Sequence, residues 1–466
     1  MKKFFCAKYL SWAFVCCVIV SNTVAQNPNA DENSPAWLTR PLALTDCLNI
    51  ALQQNATILK AQNDLEASYG VVVQTRAVAL PQLTASGQYK YTDPNAIENF
   101  PSGTNGASGF EQPNQNWNAG IQLVQSIYEG GKIIAAMRAA KVTKEQALAQ
   151  YQTTVADTLL STREAYYDVL LTTQQITVQE ASVNLLQKEL EDQQSRYNAG
   201  TVPKFNVLRA EVAVANERPN LIQARNNYRI AKNNLANSLG YNLPREVWED
   251  IPLNLTDTLD AVPYQVRLPD AIQQALGNRT ELVVLRKTEE LQKLNIVDAR
   301  SGYKPTIQLF AGYDWYNAQF TPPVELDHDI HGWNAGAQLN WDIFDGLLTH
   351  GKVIQAKALY EKAKTDLADE SRQIELEVRT AYSDFIEARE VLDSQKTVLA
   401  EADESLREAN ARASAGTGTQ LDVLDAETSL TQARTTQIQA LHDYATARAK
   451  LERAIGEDMV QTAAAK

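Results

Sequence analysis

The sequence predicts a mixed fold that is mainly α-helical. Two tandem repeats each contribute two strands of a transmembrane β-barrel and long coiled-coil helices. Three observations lead to this prediction. The second half of the chain repeats the first, four segments of about ten residues alternate apolar and polar side chains, and long proline-free segments carry apolar residues seven apart. The duplication sets the architecture, and the two patterns identify the elements within each repeat.

The duplication has a nearly constant offset. Leu44 recurs as Leu268, 224 positions later, and Gly200 recurs as Gly416, 216 positions later, because one polar loop differs in length by eight residues. A unit of about 200 residues that occurs only twice excludes a solenoid of short repeats. The chain divides into a signal peptide (1–25), an N-terminal linker (26–41), repeat 1 (42–240), an inter-repeat connector (241–267), repeat 2 (268–456) and a C-terminal tail (457–466).

The N-terminus predicts export from the cytoplasm. Three lysines precede the apolar residues 10–20, and small residues lead to a cleavage site after Ala25. The alternative, a membrane anchor, calls for a longer apolar core. The exported chain keeps only Cys47, which has no disulfide partner and is predicted to pack in a helical core. A formal net charge of -13 argues against a nucleic-acid partner.

The four alternating segments are predicted to be barrel strands. In the first of them Leu83 and Tyr89 share a face opposite Thr84 and Gln88, and aromatic residues gather toward the strand ends. This pattern is typical of outer-membrane barrels, and the alternative is a soluble sheet packed on the helices. Because four strands cannot close a barrel, the chain is expected to oligomerise, with eight strands from a dimer or twelve from a trimer. The predicted strands span about 80–92, 116–128, 305–317 and 332–344.

Long helices are predicted to follow each pair of strands. The segment from Gly130 to Tyr197 has no proline and carries apolar residues seven apart, and at 1.5 Å per residue it is roughly 100 Å long. A shorter helix follows it as far as Leu239. Single helices are also predicted from Asp46 to Val78 and from Asp270 to Ser301. Two short helices placed end to end match one long helix, which predicts a long helical body with the strands at one end.

Two motifs suggest a phosphate-binding or a metal-binding site, but their residues match such sites poorly. Residues 346–352 have the G-x4-G-K spacing of a phosphate-binding loop, yet Val353 follows Lys352 where a Ser or Thr would bind magnesium. His328 and His331 lie with two aspartates on a polar loop, in a spacing that matches no closed metal site. The sequence therefore predicts no catalytic residue, no cofactor and no metal site.

Asp422 and Asp425 are the remaining candidates. They lie three apart at the start of a helix, just after the turn at residues 416–418, and so share one helix face. One interpretation is that they are solvated acids favoured by the helix dipole. In a symmetric oligomer the same face would instead form stacked acidic rings that select cations.

These features together resemble the TolC family of outer-membrane efflux proteins over essentially the whole mature chain. The first repeat and the second repeat both contribute motifs to the resemblance. The segments that carry it are Leu44-Thr45-Asp46 with Ala51-Leu52, Pro81 and Pro305, Tyr128-Glu129-Gly130-Gly131, residues 196–201 with 207–211, and Gly416-Thr417 with residues 422–427.

The resemblance implies a homotrimer with one twelve-stranded barrel in outer-membrane lipid and an α-helical tunnel in the periplasm. It also implies docking to a periplasmic adaptor (membrane fusion) protein and an inner-membrane transporter. In this family Asp422 and Asp425 correspond to the periplasmic constriction. The positions that correspond to adaptor-contacting tips are Gly200, Thr201, Val202, Gly416, Thr417 and Gly418.

Some positions depart from the pattern of the best-known family member. Gly418 and Ala413 replace a basic and an aromatic residue that latch the closed tip, and Asn206 replaces their acidic partner. A different closing interaction is therefore expected. The function implied is a passive channel of a tripartite efflux or type I secretion system. The alternatives are a periplasmic coiled-coil structural protein with a soluble sheet and an exported nucleotide-binding protein that depends on Lys352.

Overall fold

A computed structural model of the protein describes Trp37 and residues 40–96, 115–241, 251–317 and 329–457. The predicted signal peptide, most of the N-terminal linker and nearly all of the C-terminal tail lie outside the described residues. So do the central parts of the two polar loops that connect paired strands. Among the described helices, none is both long and apolar enough to cross a membrane.

The two repeats contain the same elements in the same order, which confirms the predicted fold class. A short parallel pair, β1 (Pro41–Leu42) and β4 (Asn254–Leu255), joins the start of repeat 1 to the connector. Repeat 1 contains α1 (Leu44–Gln54), α2 (Ala56–Ala77), β2 (Gln82–Tyr91), β3 (Gln115–Glu129), α3 (Lys132–Asn198) and α4 (Lys204–Ser238). Repeat 2 contains α5 (Leu268–Asn278), α6 (Thr280–Ser301), β5 (Thr306–Asn317), β6 (Asp329–Asn340), α7 (Leu348–Ser414) and α8 (Gln420–Ile455).

The two helices that were predicted to be continuous before the strands are each divided in two. Asn55 has an extended backbone between α1 and α2, and its side-chain oxygen accepts a hydrogen bond from Thr57 N at 2.7 Å. This N-cap starts a new helix, because it accepts a hydrogen bond from a backbone N–H in the first turn of α2, where no helical carbonyl is available. Arg279 has the same extended backbone between α5 and α6. The duplication therefore preserved the break.

One antiparallel sheet joins the repeats. Its order is β2-β3-β5-β6, so the central pairing of β3 with β5 connects the two repeats directly. The fourth strand ends at Asn340, four residues before the predicted end at 344. Its last partner is Thr306, and β5 cannot extend the ladder further because Pro305 has no backbone donor.

The long helices α3 and α7 each contain 67 residues, which corresponds to roughly 100 Å. Helix α3 contacts α2 and α4 of its own repeat and α6 and α8 of the second repeat. Helix α7 contacts α6 and α8. The helices therefore form a layer in which α3 lies between the two pairs of shorter helices and α7 lies at one edge.

The contact between α3 and α8, called here the α3–α8 seam, holds buried charges as well as apolar residues. Arg163 Nη1 lies 2.5 Å from Glu452 Oε2, and neither side chain is exposed. Arg453 Nη2 lies 2.6 Å from Asp157 Oδ1. Asp157 is 61% exposed, so of these two pairs only Arg163 with Glu452 is fully buried. A buried ion pair costs desolvation, but removal of one partner costs more, so this pair fixes the alignment of the two helices.

Candidate functional site

The four-stranded sheet exposes an apolar face that the helices do not cover. Tyr89 pairs with Trp117 and Tyr313 pairs with Trp333, so aromatic residues of neighbouring strands lie side by side. Trp333 is 80% exposed. A soluble sheet packed on the helical body would bury this face, whereas a lipid-facing sheet leaves it free of protein contacts. The exposed large residues of this face also include Leu83, Tyr91, Ile121, Leu123, Leu309, Trp315 and Leu339.

The opposite face of the sheet is polar. Asn334 donates a side-chain hydrogen bond to Asp314 across β5 and β6, and Thr84 Oγ1 donates to Gln122 O at 3.3 Å. Gln88 and Lys90 line a groove on this face. A sheet with one apolar and one polar face separates lipid from water, which is the arrangement of a water-filled barrel wall.

At the far end of the long helices, two turns have nearly the same backbone. Tip 1 (residues 199–203) joins α3 to α4, and tip 2 (residues 415–419) joins α7 to α8. Gly200 has φ of 73° and Gly416 has φ of 74°, in the left-handed region that favours glycine. In both tips the next residue, Thr201 or Thr417, donates its backbone N–H to an arginine carbonyl near the end of the long helix. Both tips are thus Gly-terminated helix ends.

Both predicted constriction acids lie on the first turns of α8, and both are exposed. Asp422 Oδ2 accepts a hydrogen bond from Thr419 N at 2.8 Å, and Thr419 Oγ1 accepts one from Asp422 N at 3.2 Å, which forms a capping box. These bonds lower the pKa of Asp422, so its carboxylate is charged at neutral pH. Asp425 follows on the same face, one turn later.

The two tips are linked by a residue that sequence reasoning missed. Gln420 Nε2 donates a hydrogen bond to Asn206 O at 3.2 Å, across a cavity of about 650 Å³ that lies between the tips. Asn206 thus contributes its backbone carbonyl to this contact. Gly418 lies close to Arg412, since a Cβ added at Gly418 would be 2.9 Å from Arg412 Cβ. No sequence signal marks Gln420, because its partner is a backbone carbonyl.

A second missed residue is Glu427. It is buried on α8, facing α3, and burial together with the nearby carboxylate of Glu189 raises its pKa to about 7. The repeat offset pairs Glu427 with Glu211, and Glu211 is exposed. The sequence shows the match but not the difference in burial, because burial depends on which helix lies opposite.

The remaining sequence candidates do not form sites in the described part of the chain. Residues from Leu348 onward in the G-x4-G-K segment are helical, so they do not wrap a phosphate. His331 Nδ1 lies 2.7 Å from Tyr313 Oη, and His328 lies outside the described residues. Burial raises the pKa of the Cys47 thiol to about 12, which makes it unreactive. Among the residues that the structure covers, no group of three acidic, His or Cys side chains could hold a metal ion.

The family profile described as outer membrane efflux protein matches residues 47–241 and 271–457, one match in each repeat. The chain belongs to this family. The resemblance to TolC proteins is therefore confirmed, and membership assigns this efflux-family chain to the outer membrane. The two matched segments coincide with the two structural repeats, apart from the first residues of each and the connector.

Individual relatives agree with the family assignment. Outer membrane protein TolC of Escherichia coli is 25% identical over 411 residues, which cover 86% of this chain and 80% of TolC. Alkaline protease secretion protein AprF of Pseudomonas aeruginosa is 24% identical over 424 residues, 88% of this chain and 83% of AprF. The crystal structure of the Campylobacter jejuni CmeC outer membrane channel superposes with a TM-score of 0.74 at 17% identity, covering 90% of this chain and 88% of that one. This efflux-family chain therefore has the channel fold.

Proposed function

We propose that three copies of this chain close into one passive channel, with a twelve-stranded barrel in the outer membrane and a helical tunnel in the periplasm. The observation that carries this proposal is the open sheet. Among the described strands, β2 and β6 lie at the two ends of the sheet, and each has one unpaired edge. An open edge in lipid would leave backbone groups without partners, so the edges must pair between protomers.

The duplication specifies which edges meet. Within the chain, β3 pairs with β5, the second strand of repeat 1 with the first strand of repeat 2. The equivalent pairing around a ring joins β6 to β2 of the next protomer. Ile121 pairs with Tyr313 in the chain, and the repeat offsets convert this pair into Ala337 and Tyr89. A head-to-tail contact of this kind closes a ring.

The helical layer has complementary edges too. Helix α3 lies between α2 with α4 and α6 with α8, whereas α7, its equivalent, contacts only the second of these pairs. The neighbour missing from α7 corresponds to α2 and α4 of the next protomer. Both edges carry exposed large apolar side chains, which this contact would bury. They include Tyr69, Val73, Val212 and Ile222 on α2 and α4, and Ile354, Leu376, Val391 and Val398 on α7.

At the tip, three copies of Asp422 and of Asp425 would form two acidic rings at the periplasmic constriction, which favour cations. The exposed turns of tips 1 and 2 are proposed to contact the periplasmic adaptor, and an inner-membrane transporter would supply the energy. The contact residues are Gly200, Thr201, Val202, Gly416, Thr417 and Gly418. We assign the channel to a tripartite efflux or type I secretion system, a role consistent with relatives named for efflux and for protease secretion.

The ring is tested by disulfide cross-linking between protomers. In a Cys47→Ala background, the Tyr89→Cys and Ala337→Cys pair is expected to produce trimers that resist denaturation until they are reduced. The matched control is Tyr89→Cys with Gln338→Cys, which places the second thiol on the opposite face of β6. Cross-linking of the control pair alone would contradict the proposed register, and monomers with both pairs would contradict the ring.

The channel is tested by single-channel conductance in planar bilayers. The wild-type protein is expected to give cation-preferring steps, and the Asp422→Ala, Asp425→Ala double variant should lose much of this preference. The matched control is Asp366→Ala with Asp369→Ala, which removes the same charge at the same spacing from α7. An equal loss of preference in the control would move the constriction away from the tip. Inserted trimers without conductance would favour the periplasmic structural alternative.

A further inference from the structure

The α3–α8 seam changes character along its length. The two helices run antiparallel, and near the C-terminal end of α8, away from the tips, they are joined by the buried pair of Arg163 and Glu452. Toward the tips the contacts become weaker. Thr431 Oγ1 donates to Ser182 Oγ at 3.2 Å, and beyond it Glu427 lies buried against α3. The ion pairs between α3 and α8 that the described residues make lie in the other half of the seam.

Glu427 is the most unusual contact of the tip half. It is 4% exposed, and its Oε2 has no hydrogen-bond partner among the described residues. The charged group that faces it from α3 is Glu189, whose own pKa is also raised by burial. Gln193, buried beside them, donates its amide to Glu189 Oε1 at 2.9 Å. Arg196 lies near enough to lower the pKa of Glu189, but burial outweighs it, and two facing carboxyl groups favour a proton on one of them.

Two arginines of the tip region pair with acids other than Glu427. Arg196 Nε lies 2.7 Å from Asp192 Oδ2 on the same turn of α3. From α7, Asp403 lies 3.7 Å from Arg434 of α8. Arg209 of α4 lines the cavity between the tips, next to the exposed start of α8. Among these charged groups, Glu189 is the one whose charge raises the pKa of Glu427. If both carboxyl groups were ionised, they would repel each other.

His442 is the second titratable contact of the seam. Its Nε2 lies 2.9 Å from Asp168 Oδ1 of α3, and its Nδ1 lies 3.1 Å from Asp443 Oδ1. The imidazole is 13% exposed. Burial opposes its charged form, but the hydrogen bonds to the two aspartates outweigh burial and raise the pKa of His442. A protonated His442 therefore bridges α3 to α8.

Other charged groups lie beside this bridge. On α3, Glu164 pairs with Lys450 of α8 at 3.5 Å. On α7, Asp384 and Glu387 line the groove that also contains Asp443. The two acids whose charges favour the protonated imidazole are Asp168 and Asp443.

From this arrangement, and resting on the channel function proposed above, we infer that the α3–α8 seam is a proton-operated latch on the tip. Protons on Glu427 and His442 hold α8 against α3 from His442 to the tip. Their loss leaves a buried carboxylate facing Glu189 and removes the bridge to Asp168, which frees this part of α8 to move away.

Both groups act in the same direction. Glu427 has a raised pKa of about 7 in the closed seam, so its stabilisation is complete below its ordinary pKa of 4.5 and is lost as pH rises to about 7. The pKa of His442 is raised above 6.5, so its contribution is complete below 6.5 and is lost as pH rises through the raised value. The ratio of closed to open seam falls about tenfold per pH unit for each proton released.

The repeat-equivalent contact lacks these groups. The equivalent of His442 is Asn226, and the equivalent of Glu189 is Ser405. Glu211, the equivalent of Glu427, is exposed on α4. In the proposed trimer this face of α4 meets α7 of the next protomer, where no second carboxylate matches Glu189. The latch therefore belongs to the contact within each protomer.

The test measures seam opening independently of conductance. In a Cys47→Ala background, maleimide labelling of Ser182→Cys reports opening, and the exposed Ser195→Cys on the same helix corrects for thiol ionisation. We expect the corrected labelling rate of the inserted trimer to rise at least tenfold between about pH 5 and about pH 8. Glu427→Gln, which is neutral at every pH, should remove the part of this rise below about pH 7.

Two further variants complete the test. His442→Asn introduces the residue that repeat 1 has at this position, and it should raise the labelling rate at acidic pH. This effect is opposite in sign to that of Glu427→Gln. Glu211→Gln is the matched control and should leave the profile unchanged. A pH profile that is the same in the wild type, Glu427→Gln and His442→Asn would overturn the latch. Conductance is recorded in parallel, so a missing channel with a normal labelling profile would contradict the proposed function and not the latch.

Discussion

The two helical tips have the same backbone and different charges. Tip 1 and tip 2 both end a 67-residue helix with a glycine in the left-handed region and a threonine bonded back to an arginine carbonyl. The repeat offset places Asn206 and Arg209 after tip 1 and Asp422 and Asp425 after tip 2. The duplicated tips therefore share the turn but differ in the charge of the helix face that follows it.

The helix starts after the tips differ as well. Helix α8 begins with the capping box of Thr419 and Asp422, whereas α4 begins after Pro203, which provides no side-chain cap. The acidic side chain of Asp422 therefore has a structural role in addition to its proposed place at the constriction. Asp425 makes no such capping bond among the described residues. A substitution of Asp425 therefore tests the proposed place at the constriction without removing a helix cap.

The α3–α8 seam shows the same divergence at a buried position. Arg163 is buried with Glu452, but its repeat equivalent Arg379 is exposed, and the equivalent of Glu452 is Ala236. The largest expected effect follows from this difference. Glu452→Gln should lower the free energy of unfolding by about 3–5 kcal/mol, because it leaves a buried arginine without its counter-charge.

The measurement is denaturant unfolding of the detergent-solubilised protein, with Arg379→Gln as the control. The control is expected to change the free energy of unfolding by less than about 1 kcal/mol, since Arg379 is exposed. Equal losses of unfolding free energy in the two variants would contradict the difference between Arg163 in the α3–α8 seam and its repeat equivalent Arg379.

The second prediction concerns the shared backbone of the tips. Gly200→Ala and Gly416→Ala should each destabilise the protein by about 1–2 kcal/mol, because alanine is strained at positive φ. Neither added Cβ would contact another atom, so strain is the whole cost and the two losses should match. Thermal unfolding of the two variants checks this, and clearly unequal losses would show that the tips are not equivalent.

The third prediction separates the helix starts. Thr419→Ala should cost about 1 kcal/mol, because it removes the hydroxyl that caps Asp422 N. Pro203→Ala, at the matching position, should cost less, since Pro203 makes no cap hydrogen bond. Hydrogen exchange of the first turns of α4 and α8 measures both effects, and equal fraying at the two starts would refute the difference.

The smallest effect on stability is expected for Asp425→Asn. The side chain is exposed, so the free energy of unfolding should change by less than about 0.5 kcal/mol. Its effect on cation preference in planar bilayers should nevertheless be measurable, because three charges leave the proposed constriction. Arg209→Gln is the control at tip 1 and removes a positive charge, so it should not lower the cation preference. A change of cation preference larger than that of Asp425→Asn would assign the constriction to tip 1.

Much of the fold could be read from the sequence because its signals are local and repeated. Period-two alternation located four strands, and proline-free heptads located α3, which ends within one residue of the predicted Tyr197. The two breaks at Asn55 and Arg279 were missed, since helical periodicity continues across them and only the extended backbone reveals them.

The candidate site was only partly readable. Asp422 and Asp425 could be proposed from the sequence because their spacing and the preceding glycine turn lie within a few residues of each other. Their place at the constriction stays a prediction. Gln420 and Glu427 were missed, because their significance depends on Asn206 and Glu189 of the other repeat.

Local patterns in the sequence specify the repeated order of elements, the two-faced strands and the glycine turns, because periodicity and backbone preference act over a few residues. The three-dimensional packing was needed to show that β3 pairs with β5, that the apolar face of the sheet is uncovered, and that Glu427 is buried while Glu211 is exposed. Those outcomes depend on which residues meet across more than a hundred positions of chain, and a burial difference between two identical residues is set entirely by the helix that lies opposite each of them.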